Sequence, residues 1–90
     1  MRVELRAQGG FAGLRRPPLV LETEQLEPDV AREVEELAGG LPAGGAPGRG
    51  ADLMRYDVVV EDRGERRTAV YFEPNVPDAV RRLLRLARGK

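Results

Sequence analysis

The sequence predicts an α+β domain in the order ββαββα, a four-stranded antiparallel sheet with two helices packed on one face. Three observations predict it. In four short stretches apolar residues alternate with polar ones, the two-residue period of half-buried strands. Two further stretches repeat apolar residues at three- and four-residue spacing, as amphipathic helices do. Glycines and prolines separate these stretches. Ninety residues suit one domain, 1–90, with a core of modest size.

The first strand is marked by Val3, Leu5 and Ala7, which alternate with Arg2, Glu4 and Arg6. Gly9, Gly10 and Gly13 then permit a hairpin turn around Phe11. A return strand is expected from about Leu14 to Leu21. Its Pro17-Pro18 pair cannot donate ladder hydrogen bonds, which places it at an edge or a bulge. The first helix is expected from about Pro28 to Ala38, with proline in the first turn and Val30, Val34 and Leu37 on one stripe. Gly39-Gly40 stops it.

Residues 39–52 hold six glycines and two prolines and fit no regular element. A loop of that length in a small domain is usually functional or disordered, and here it is expected to be flexible. The third strand is expected from about Leu53 to Asp62, with Met54, Tyr56, Val58 and Val60 facing the core. Arg63-Gly64 makes a short turn into a fourth strand, about Arg66 to Glu73. There Val70 and Phe72 are assigned to the core, and Arg67 and Tyr71 to the wet face. The last helix carries Val80, Leu83, Leu84 and Ala87 on its apolar stripe, and Gly89 ends it.

Composition excludes much chemistry. The chain has no His, Cys or Ser, so most nucleophile–base pairs and the nitrogen and sulfur ligands of zinc are missing. A carboxylate pair remains possible, but no segment groups carboxylates among apolar residues. The chain is therefore read as a non-enzyme with no cofactor. No apolar run is long enough to span a membrane, and the charged start has no signal-peptide core, so a cytoplasmic protein is expected.

Net charge is zero, which argues against nucleic acid as a partner. The distribution is uneven. Leu21 to Leu37 carries a net charge of −6 and Pro77 to Lys90 a net charge of +4. The arginines of the last helix admit an acidic partner, RNA or a solvated face, and the solvated face is preferred.

The loop around Gly48-Arg49-Gly50-Ala51-Asp52 does not fit a phosphate loop, because Lys and Ser/Thr are missing where that motif needs them. Phe11 at its hairpin tip is either a contact anchor or a cover over a helix end. Leu41 and Leu53 are apolar residues beside the flexible loop without an evident internal partner, although Leu41 also suits a cap over the core. Leu41, Pro42, Leu53, Phe11 and Arg55 are the candidate partner-binding residues.

Gly9-Gly10-Phe11-Ala12-Gly13-Leu14-Arg15-Arg16, then Tyr56-Asp57-Val58-Val59-Val60-Glu61-Asp62-Arg63-Gly64, then Pro77-Asp78-Ala79-Val80-Arg81-Arg82-Leu83-Leu84 together resemble the emfourin family. These are small inhibitors of protealysin and related thermolysin-like metallopeptidases. The resemblance implies a protein that blocks the peptidase cleft and is a monomer when free. Such peptidases favour a bulky apolar side chain just after the cleaved bond, a pocket that Leu41 or Leu53 would fill. Without His or Cys, occlusion is the expected mechanism rather than zinc capture. The alternative is a non-inhibitory interaction or regulatory module.

Overall fold

The computed structural model describes residues 1–9, 14–15, 17–44, 54–73 and 75–89. Strand β1 spans Arg2–Gly9. Strands β2 (Leu14–Arg15) and β3 (Leu19–Glu22) are two pieces of the predicted return strand. Helix α1 is Pro28–Gly39, β4 is Met54–Asp62, β5 is Glu65–Phe72, and α2 is Asp78–Arg88. All pairing is antiparallel: β2 and β3 lie on one edge, followed by β1, β4 and β5. The result is the predicted α+β architecture, with four strand positions in one sheet.

The return strand splits at its prolines. Leu5 pairs with Leu19 and Gln8 with Arg15, so two residues of β1 face three on the return side. This is a bulge at an edge, where a missing proline N–H does least harm.

Both helices cover one face. Val34 and Ala38 of α1 and Val80, Leu83 and Leu84 of α2 join Val3, Leu5, Leu21, Val58 and Val60 in a single core. The short 3₁₀ turn Thr23–Gln25 between β3 and α1 was not foreseen. Its buried Thr23 hydroxyl donates to the Met1 carbonyl at 3.3 Å and accepts from the Met1 ammonium at 3.1 Å. The polar group therefore costs little despite its burial.

The faces of β5 are the reverse of the expectation. Arg63 and Gly64 have φ of 53° and 82°, the two positive angles of a tight hairpin turn. That turn pairs Asp62 with Glu65, Val58 with Ala69 and Tyr56 with Tyr71. Directly opposed residues share a face, so Arg67, Ala69 and Tyr71 face the core side. Tyr71 is 3% exposed. Val70 and Phe72 lie half-buried on the open face. The more apolar alternation of Thr68, Val70 and Phe72 suggested the wrong side, and the hairpin register overrode it.

Arg67 ends up on the core side at a rim, where its guanidinium donates to the Ala38 carbonyl at 3.2 Å. Helix α1 has no basic residue in its own last turn, and Arg67 supplies the missing positive charge from the sheet.

The open face carries rows of charge. Arg2 reaches Glu4 at 3.4 Å and both Glu22 and Glu61 at 3.6 Å. Arg6 meets Glu4 at 3.1 Å. Such solvated pairs add little stability, and they keep this face soluble.

Candidate functional site

Of the candidates, Arg55 lies next to the Gly9 end of the sheet. Gly9 pairs with both Leu14 and Met54. Gly9, Leu14 and Met54 are therefore neighbours in the sheet. Phe11 and Leu53 themselves lie outside the described residues, as do residues 45–52 of the loop. Arg55 stands one residue further in, on the open face, in a row between Gln8 and Phe72. It is exposed, and its Nε and Nη2 bind the two Asp57 oxygens at 2.7 and 3.3 Å. Gln8 Nε2 approaches the same carboxylate at 3.4 Å.

Leu41 and Pro42 open the segment that leaves α1. Leu41 is half-buried and packs against the core. Pro42 is exposed, and its carbonyl accepts a hydrogen bond from the Tyr71 hydroxyl at 2.5 Å. Gly44 lies flush on β5: a Cβ there would sit 2.2 Å from the Val70 carbonyl oxygen and 2.8 Å from its nitrogen. Three contacts thus hold residues 41–44 as an arm against the edge strand, one apolar, one polar and one a close backbone approach. Behind the arm is a cleft of about 510 Å³, floored by Val58, Val60 and Ala69 and bounded by Ala38 and Arg67.

Tyr71 is the site residue that sequence reasoning missed. Counting back from the two-residue turn at Arg63-Gly64 would have found it. Burial pushes its phenol above the ordinary value, with Arg67 pulling against the rise. Tyr56, directly across from it, is also raised, first by burial and then by Glu73, whose Oε2 its hydroxyl meets at 3.4 Å. Both phenols therefore stay protonated and able to donate through the neutral range.

Among the described residues no group of three or more Asp or Glu side chains is placed to hold a metal ion. No described helix is long and apolar enough to cross a membrane. What the fold presents is a small sheet-and-helix scaffold with an anchored arm and a cluster of chain connections at one end.

The chain belongs to the emfourin family, which it matches over residues 5–88, nearly its whole length. Membership points to a protease-inhibitor-like role with a protease as partner. No curated protein and no solved structure matches the chain.

Proposed function

We propose that this protein inhibits a thermolysin-like zinc metallopeptidase by occluding its active-site cleft with the loop that follows α1. The observation that carries this reading is the family match over residues 5–88. The geometry supports a role for the loop, because its first residues are anchored before any partner arrives. Pre-ordering of this kind lowers the entropic cost of docking.

Within this reading Leu53 is the candidate for the apolar pocket of the peptidase, with Pro42, Phe11 and Arg55 as neighbouring contacts. Leu41 supports the loop from beneath, since its side chain already packs against the core. The absence of His and Cys favours steric blockade over zinc capture.

The test is titration into a thermolysin assay. Wild-type protein should inhibit at near-stoichiometric concentration. Leu53→Ala should weaken inhibition about thirtyfold, the loss of one anchor residue. Leu41→Ala should lower the melting temperature as well as weaken inhibition. Unchanged inhibition in both variants would rule out the loop. Binding without inhibition would point instead to a non-inhibitory interaction module.

A further inference from the structure

Where the last two turns of α2 meet the sheet, two grooves adjoin. One is apolar, about 210 Å³, lined by Leu5, Ala7, Pro17, Leu19, Leu84 and Arg88. The other, about 320 Å³, is lined by Tyr56, Arg81, Leu84, Arg85 and Arg88. They share Leu84 and Arg88, so an apolar slot runs directly into a basic one. Arg81, Arg85 and Arg88 recur at helical spacing along one side of α2, and among the described residues none of them enters an ion pair. Their neighbour Arg82 points elsewhere and is held by Glu33 at 2.7 Å.

A merely solvated row of arginines would project from a convex helix face. Here three of them surround a concavity that also contains a tyrosine ring and continues into aliphatic wall. We infer that this composite groove is a docking surface for an acidic segment of a protein partner, one apolar side chain flanked by carboxylates. The apolar slot takes the side chain, and the guanidiniums take the carboxylates as charge-assisted, forked hydrogen bonds.

Protein is favoured over nucleic acid on two grounds. One aromatic ring gives no stacking ladder for successive bases. The acidic first helix, in a chain of zero net charge, opposes a long polyanion. The groove also borders the sheet end that carries Met54, since its Tyr56 lies two residues along β4. It therefore extends the surface proposed for the peptidase, and the inference rests in part on that reading.

Two measurements separate the groove from the inhibition. The first uses a fluorescent peptide with one phenylalanine between glutamates, and the same peptide with glutamines. The glutamate peptide should bind, weaken with added salt, and lose about tenfold in affinity with Arg85→Glu. Arg82→Glu makes the same charge change outside the groove and should leave binding nearly intact. The second measures association with thermolysin. Arg81→Glu/Arg85→Glu should slow it about tenfold, flatten its salt dependence and speed dissociation severalfold. Equal effects of Arg82→Glu and Arg85→Glu, equal binding of the two peptides, or tighter binding of oligouridylate than of peptide would each overturn the groove. Peptide binding as expected without inhibition of thermolysin would uphold the groove and refute the inhibitor reading.

Discussion

The two ends of the sheet are built differently. Toward the Arg2 end, Val3, Leu5, Val58 and Val60 are each no more than 4% exposed beneath the helices, although Val58 and Val60 also floor the cleft behind the arm. Toward the Gly9 end burial is mixed: Ala7 and Tyr71 are buried, but Met54 and Tyr56 are only half-buried, and grooves open beside Ala7 and Tyr56. The closed end concentrates apolar burial, the main source of stability in so small a domain. The open end holds the chain connections, the loop return and the arginines. Stability and recognition are thus separated along the strands, and mutations at the two ends should have different signatures.

The largest effect is expected in the core beneath the helices. Leu83 is fully buried, and Leu83→Ala should cost about 3 kcal/mol in urea unfolding. Inhibition per folded molecule should not change. A loss of inhibition in the folded fraction would show that core packing and recognition are coupled.

Next comes the anchor of the arm. Tyr71→Phe keeps the ring in the core and removes the bond to Pro42. A stability loss of about 1 kcal/mol is expected. Association with the peptidase should slow severalfold, because the arm must then be ordered on docking. An unchanged association rate would separate the arm from recognition.

A pH titration sharpens the same point. Tyr56 and Tyr71 are both held above the ordinary phenolic value. As pH rises past about 10 the unfolded chain gives up these protons first, so the folded chain holds more of them and stability falls. The stabilisation is complete below that range and is lost through it. Tyr71→Phe should make the alkaline limb of a thermal-melt profile shallower.

The smallest effect belongs to the helix–helix ion pair. The hydrogen bond from Arg82 holds Glu33 below the ordinary carboxylate value, and Glu33 in turn raises Arg82. A depressed carboxylate contributes above its unfolded value, and the contribution disappears as pH falls through the folded one. Both groups are solvated, so Glu33→Gln should shift the melting temperature by an amount near the limit of detection.

Much of the fold was legible because its signals are local. The alternation of Val3, Leu5 and Ala7, the stripes of both helices, and Pro17-Pro18 each report on their own surroundings. The side of β5 was not legible from alternation, since Arg67, Ala69 and Tyr71 look less apolar than Thr68, Val70 and Phe72. Only the turn geometry at Arg63-Gly64 decides it. The anchor under Pro42 was hidden for the same reason, because a tyrosine assigned to the wet face has no reason to reach the arm. The grooves of α2 depend on which arginines meet Tyr56 across the fold. A helical wheel sets Arg82 about 100° away from Arg81 but cannot show which arginines meet Tyr56.

The bond between Tyr71 and residue 42 is made to a main-chain carbonyl. Every amino acid supplies that acceptor, so the anchor does not depend on which side chain stands there. Leu41 and Gly44 are restricted, the first by its packing on the core and the second by its contact with Val70. Substitutions at residue 42 can therefore change the exposed surface of the arm while β5 goes on holding it.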